Sequence, residues 1–386
     1  MGRRIARAGL AASAALLLAA CGGGTDPATI GSSGSGGGGG GKGEAGGGDV
    51  KTASLAQPNT VTLSFCHKIE YGGGGWDYAL TVESLSLKDG SIVATRSTVL
   101  PNGVEPARGC PTSESGGPQH QVALAFNKDY TLVAGMKGMS RAGAWDVATG
   151  KEVGAPDPDA FSKRPKNRGV AFHPVTGRLW YDMGEHDFQS SDDVASRDPK
   201  AGLASEERVA YEKLGDLMKQ DGPTATTVLA TDDGDYVAAP DGGIVAGGTM
   251  NGMWLARVAA EGRVGAGDFL ESIGTAGLDA PELGCQPVFW RDATTLVCDE
   301  FRQITFSADY KKVVKTEELI PANDRSNSDP VLAPDGKSFA FLSEGENGKT
   351  GLFRADFVPG GEPVKIADVE EPADAPRHMT FLLRWN

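Results

Sequence analysis

Ala333-Pro334-Asp335-Gly336-Lys337-Ser338-Phe339-Ala340-Phe341-Leu342 is a tight polar turn followed by an apolar strand, with the apolar Val331-Leu332 arriving before it. Proline presets the turn, aspartate hydrogen-bonds to backbone ahead of it, and glycine takes the positive φ that closes it. The phrase returns with variations. Ala125-Phe126-Asn127-Lys128-Asp129 precedes Leu132-Val133-Ala134, and Phe172-His173-Pro174-Val175-Thr176-Gly177 precedes Leu179-Trp180-Tyr181. Ala239-Pro240-Asp241-Gly242 precedes Ile244-Val245-Ala246, and Phe289-Trp290-Arg291-Asp292 precedes Leu296-Val297. Between these copies falls a second phrase, a strand ending in a hairpin turn, as in Ala144 to Lys151, Trp254 to Gly262, Ile304 to Tyr310 and Leu352 to Gly361. Helical periodicity is almost absent, which marks an all-β chain. Two alternating hairpins make a four-stranded unit, and such units repeating at roughly 40 to 50 residues are the blades of a β-propeller.

The Pro-Asp-Gly-Lys turn resembles that of the TolB-like β-propellers. Pro334-Asp335-Gly336-Lys337 fits it in full, Pro240-Asp241-Gly242 nearly so, and the other copies are degenerate, so the resemblance spans Val122 to Asp368 loosely. It implies the fold and carries no activity with it. Five turns give five internal blades. Thr380-Phe381-Leu382-Leu383-Arg384-Trp385-Asn386 reads like Pro287-Val288-Phe289-Trp290-Arg291-Asp292, the first strand of an internal blade. A sixth blade then forms from both chain ends, with Val61 to Phe65, Tyr78 to Leu87 and Ser91 to Val99 as strands two to four. Closure of this kind covers both sheet edges. The alternative is a seventh blade within residues 182–230. That stretch also holds an expected short helical insertion around 205–220, with Ser205 as N-cap, Glu206 and Glu207 in the first turn, and Leu214, Leu217 and Met218 on one face.

Working outward to the N-terminus, Arg3, Arg4 and Arg7 precede an apolar run from Leu10 to Leu18 that ends in Leu18-Ala19-Ala20-Cys21. The run is far shorter than the ~20 residues that span a bilayer, and the order is that of a signal peptide over residues 1–20. Its ending resembles the bacterial lipobox, which implies a diacylglycerol on the Cys21 thiol. An ordinary secretory signal with Cys21 incidental is the alternative. The Arg-Arg pair is followed by Ile-Ala-Arg, a poor match to twin-arginine export, so general secretion is expected. Gly22 to Gly48 contains 15 glycines in 27 residues. It buries nothing and has an r.m.s. span of about 30 Å as a flexible chain, so residues 21–58 are read as a lipidated, flexible tether, and residues 59–386 as the propeller.

The formal net charge is -14, and loss of the three signal arginines makes the mature chain more acidic still. Nucleic-acid binding and electrostatic adhesion to anionic lipid are thereby unsupported, which leaves the acyl chains on Cys21 to hold the chain to a membrane. The expected place is the extracytoplasmic face of the cell membrane, or the outer membrane where a cell has one.

Outside the leader, Cys66, Cys110, Cys285 and Cys298 are an even set for an oxidising compartment. With a two-residue turn at Arg291-Asp292, Cys285 lies opposite Cys298, and Cys66 is left to pair with Cys110. No Gly-x-Ser-x-Gly elbow, His-Glu-x-x-His or Walker loop stands outside the tether. Gly138 to Gly143 is read as a hairpin turn. Asp182, Glu185, His186 and Asp187 form the compact titratable cluster, a weak candidate for a divalent cation and more simply a solvated acidic loop. His173 reads as turn punctuation. Trp145, Trp180, Trp254, Trp290 and Trp385 fall in or beside strands and read as packing between blades. Trp76, after Gly72 to Gly75, is a candidate exposed contact. No cofactor is expected. The reading is a binding or scaffolding module for an envelope protein or extracellular ligand. A propeller enzyme (hydrolase, lyase or quinoprotein type) with its site at the channel mouth is the alternative.

Overall fold

The computed structural model describes residues 53–386 apart from 72–74, 109, 111–120, 139–140, 155–166, 168, 184–193, 211–212, 214–215, 218–235, 250–251, 258–285 and 371–379. The described residues form six antiparallel sheets, the blades of a β-propeller. Blade 1 contains β1 (Thr60–Tyr71), β2 (Gly75–Ser86) and β3 (Ile92–Val99), with β22 (Thr380–Trp385) as its innermost strand. Blade 2 contains β4 (Val104–Pro106), β5 (Leu132–Lys137) and β6 (Arg141–Asp146). Blade 3 contains β7 (Val170–Phe172), β8 (Leu179–Asp182), β9 (Val194–Arg197) and β10 (Glu207–Val209). Blade 4 contains β11 (Tyr236–Ala238), β12 (Ile244–Thr249) and β13 (Gly252–Arg257). Blade 5 contains β14 (Pro287–Trp290), β15 (Thr295–Cys298), β16 (Arg302–Phe306) and β17 (Val313–Glu318). Blade 6 contains β18 (Ser326–Leu332), β19 (Ser338–Glu344), β20 (Thr350–Asp356) and β21 (Val364–Val369).

The degenerate turns share one mechanism carried by different residues. The Asp335 Oδ1 accepts from the Lys337 N–H at 3.0 Å, and the Asp241 Oδ1 from Gly243 at 2.9 Å. Asp292 accepts from Thr294 and Thr295, and Asn127 from Thr131 and Leu132. In blade 3 the acceptor is an imidazole, with His173 Nδ1 taking the N–H groups of Val175 and Thr176 at 3.2 and 3.1 Å. His173 is thus turn chemistry, and the blade rhythm survives loss of the Pro-Asp-Gly spelling because any short acceptor can close the turn. Gly336 has φ +68° and open space where a Cβ would sit, so it is there for its backbone conformation rather than for lack of room.

Strand β22 closes the ring. It pairs antiparallel with β1 from Val61 opposite Trp385 to Phe65 opposite Thr380. The ladder continues past it, with Asn386 N–H on the Thr60 carbonyl at 2.8 Å and Asn59 N–H on the Asn386 carbonyl at 3.0 Å. Apolar clusters fill the seams between blades. Val61, Leu63 and Phe65 meet Ala340, Leu342 and Leu352 between blades 1 and 6, and Tyr78 and Leu80 meet Phe126 and Trp145 between blades 1 and 2. Similar clusters join blades 2 and 3, 4 and 5, and 5 and 6. Successive side chains of a central strand point to opposite seams, so blades 1, 2, 5 and 6 are held from both sides. Trp145 and Trp290 follow this pattern, whereas Trp180 packs against Val194 of its own blade. Trp145 is buried over Gly143, where a Cβ would stand 2.6 Å from its ring, and the Trp290 Nε1 donates to the Val237 carbonyl across a seam at 2.9 Å.

The structure departs from the sequence reading at three places. The helix expected from Ser205 does not begin there: Gly202–Ser205 is a 3-10 turn and Glu207–Val209 is the outer strand of blade 3, paired with Val194 to Ser196. That pairing outcompetes the capping pattern, and α-helical conformation among the described residues is confined to Asp216 and Leu217. Residues 194–209 thereby complete blade 3 and contribute to no seventh sheet. In blade 2 the segment before Asn127 is a 3-10 turn, Val122–Ala125, with a single bridge from Phe126 to Val133, and β4 takes the rest of the inner edge of β5. In blade 5 the turn runs over residues 291–294, closed by the Arg291 N–H on the Thr295 carbonyl. Cys298 therefore faces Pro287 rather than Cys285, because Val288 bulges and shifts the register.

Candidate functional site

The first element of each sheet stands nearest the axis. β18 touches β22, β22 touches the 3-10 turn 122–125, that turn touches β7, and β11 touches β14. At the axis is a cavity of about 460 Å³, walled by the inner elements of blades 5, 6, 1 and 2. That volume lies within the range of small-molecule sites.

Three of those inner strands are bulged. Between Pro287 and Phe289 of β14, β15 advances one residue and leaves Val288 extra. Between Ser328 and Val331 of β18, residues Asp329 and Pro330 together oppose Phe341. Between Leu382 and Arg384 of β22, Leu383 is extra opposite β1. Val288, Asp329, Pro330 and Leu383 all line the cavity. A bulge releases a residue from its ladder and re-aims the strand, and bulges concentrate beside functional sites. Here three consecutive blades turn their irregular residues to one space.

The bulge in β18 has its origin in Asp329-Pro330. Proline has no N–H to give the ladder, and a residue before proline is ordinarily driven into the extended region. Asp329 instead has φ +53°, a left-handed conformation costly for a side-chain-bearing residue, and Gln121 on the far wall has φ +58°. The half-buried Asp329 carboxylate accepts from the Ser328 Oγ at 3.0 Å. Its pKa is pushed up to about 7, above all by desolvation; the Ser328 hydroxyl pulls it down, and the like charge of Asp299, a smaller effect, pushes it up. Asp299 and Glu300, on the turn after β15, line the same wall, and Asp299 is fixed by the N–H groups of Gln286 and Glu300. Across from them is Arg384 of β22, its guanidinium 5.8 Å from the centre of the Tyr130 ring. Apolar side chains, among them Phe289, Val331, Leu332 and Leu382, supply most of the remaining wall.

The residues singled out in the sequence lie elsewhere. Trp76 is 40 % exposed on β2, with the Lys68 ammonium 4.5 Å from its ring centre. Asp182 is buried in blade 3, its carbonyl accepting from Asn167, while Glu185, His186 and Asp187 lie outside the described residues. Among the described residues no group of three or more His, Cys, Asp or Glu could hold a metal ion. Cys66 of β1 and Cys110, beyond β4, form a disulfide with Cα atoms 4.8 Å apart, which ties blade 1 to the inner edge of blade 2. Cys298 is also disulfide-bonded, and Cys21 and Cys285 lie outside the described residues. Asp329, Asp299, Glu300 and Arg384 were not singled out by the sequence. The available signal was Asp-Pro inside a strand, where proline marks a bulge or an edge.

Fold and cavity together define a six-bladed β-propeller with an axial pocket framed by bulged inner strands. The sequence matches no protein-family model and no curated protein. Among solved structures it is similar to a putative TolB from Agrobacterium tumefaciens (10 % identity, 80 % of this chain and 90 % of that one, TM-score 0.35). It is likewise similar to the periplasmic gluconolactonase of Pseudomonas aeruginosa (14 %, 83 % and 85 %, 0.34). Neither likeness carries a residue role onto this chain.

Proposed function

We propose that the chain is an exported lipoprotein, held at the extracytoplasmic membrane face by lipid on Cys21 and tethered through residues 21–58, whose propeller is a binding module that receives its ligand in the axial cavity. The observation that carries this reading is the convergence of the bulges at Val288, Asp329-Pro330 and Leu383 on one largely apolar space with a few polar groups, the make-up of a ligand site. The Cys66–Cys110 disulfide supports export, since such bonds persist in oxidising compartments. The test is affinity capture of the lipidated chain from its own membrane beside a Val288→Trp form, whose indole fills the cavity. A partner or ligand recovered with the native chain and lost from Val288→Trp uses the cavity. Equal recovery with both forms overturns this reading.

One observation favours a second reading, a propeller enzyme. A carboxyl whose pKa is about 7 is suited to general acid–base work. No histidine or cysteine is among the described residues of the cavity wall, so the binding module takes precedence.

A further inference from the structure

We propose that the axial cavity takes a ligand bearing an ammonium group on an apolar body, with the ammonium against Asp329 beside Asp299 and the body against Phe289, Val331 and Leu382. The proposal rests on the reading of the cavity as a ligand site and names the chemistry of what enters.

The cavity offers two kinds of surface. Its apolar part comes from β14, β18 and β22 and excludes water from whatever lies on it. Its charged part holds Asp329, Asp299 and Glu300, the last also 4.0 Å from the Arg302 guanidinium, and one further guanidinium, that of Arg384. The groups that face Asp329 are Ser328 from its own strand, Asp299 and Glu300 from the turn after β15, and Arg384 from β22, with the uncharged Gln121 beyond. The Arg384 guanidinium rests over Tyr130. Desolvation and, to a smaller extent, Asp299 oppose ionisation of Asp329. A ligand ammonium supplies a compensating cation, and its charge-assisted hydrogen bonds are made where water competes least. A carboxylate ligand would meet the acidic wall, and an alcohol would leave its repulsion in place. A bare divalent ion is a poorer fit, because no described set of three ligands converges.

The sign of the pH dependence follows. Below about pH 7 the Asp329 carboxyl is protonated and neutral; above it the carboxylate is available to the ammonium. Ammonium binding therefore strengthens as pH rises from 5 to 8, and bound ligand pulls the carboxyl's pKa down.

The test uses benzylamine, benzyl alcohol and benzoate, which share one ring and differ in charge, titrated calorimetrically into the full-length lipidated chain in nanodiscs. The same titrations into Val288→Trp are subtracted, which cancels partition into lipid. Benzylamine is expected to bind at least about tenfold more tightly than either analogue and to gain about tenfold between pH 5 and pH 8, the order of one charge-assisted hydrogen bond. Asp329→Asn, a neutral isostere of the protonated side chain, should lose the pH dependence and most of the amine preference while melting no lower than the parent. Benzyl alcohol or benzoate binding as tightly as benzylamine overturns the ammonium assignment and leaves the cavity a ligand site. No cavity-dependent binding of any probe overturns the assignment as well. The wider reading then stands or falls on whether Val288→Trp alters what is captured from the membrane.

Discussion

The Tyr130 hydroxyl in blade 2 donates to the Oδ1 of Asn386, the last residue of the chain, at 3.3 Å across 256 positions of sequence. The same Asn386 amide donates to the hydroxyls of Thr62 and Thr60, and its backbone extends the ladder between β22 and β1. One terminal side chain thus links the closing blade to its neighbour. Burial pushes the Tyr130 phenol up to about 12, so it donates throughout the physiological range. Tyr130→Phe and Asn386→Ala should each cost about 1 kcal/mol, and a double-mutant cycle should show coupling of similar size. Additive losses would mean that the contact does not couple the blades.

Deleting residues 380–386 should unfold the propeller rather than fray its end. Phe381, Leu382 and Leu383 are buried, and at about 1.5–3 kcal/mol each their loss is comparable with the whole stability of a domain, about 5–15 kcal/mol. The edge of β1 would also be left open. Deleting residues 31–48, a longer stretch, should leave the melting temperature unchanged within a degree or so, since a glycine tether contributes no core. Calorimetric melting of both deletions decides this, and an unchanged melt for the C-terminal deletion would refute closure by β22.

That closure was legible in the sequence because Thr380 to Trp385 repeats the apolar pattern of an inner strand, and the blade rhythm because its turns keep an acceptor under several spellings. The site was not legible. A bulge such as Leu383 is a difference in count between two strands far apart in sequence, and no single stretch records it. Cys298 was read opposite Cys285 because a two-residue hairpin was assumed, and the Asx turn at Asp292 with the bulge at Val288 moved the register. The helix expected around 205–220 does not start at Ser205 because Glu207 to Val209 finds a partner in β9, while Asp216 and Leu217 within that span are helical.

The folded chain should lose stability as pH rises between about 4 and 7. Asp329 has a raised folded pKa, so in this window the native state holds a proton that the unfolded state has released, and each step upward in pH favours unfolding. Partial exposure to water reduces the effect to on the order of 2 kcal/mol, about half of what the full shift converts to. Asp329→Asn should remove this component and be the more stable form at pH 8. Parallel pH dependences in denaturant melts of the two proteins would assign the slope to other groups.

Breaking the Cys66–Cys110 bond, by Cys66→Ser with Cys110→Ser, should cost up to about 4 kcal/mol by loop entropy across 44 positions. Less will be lost if the β1–β22 ladder already restrains the same segment, so the double variant should melt lower yet remain folded. A melt equal to the parent's would show the bond to be idle in the native protein.

Cys21→Ser should release the chain from membranes without altering its melt, because the tether separates the lipid from the core. Continued co-sedimentation of all of the variant with membranes would rule out lipid on Cys21 as the anchor.

The bulged inner strands of blades 5, 6 and 1 enclose the half-buried carboxyl of Asp329. The most direct measurement is the titration of the Asp329 side-chain carboxyl by 13C NMR in the intact protein, assigned by the resonance lost in Asp329→Asn. A midpoint near 7 that falls when benzylamine is added is expected. A midpoint near the ordinary aspartate value of about 4, unmoved by the amine, would contradict that expectation.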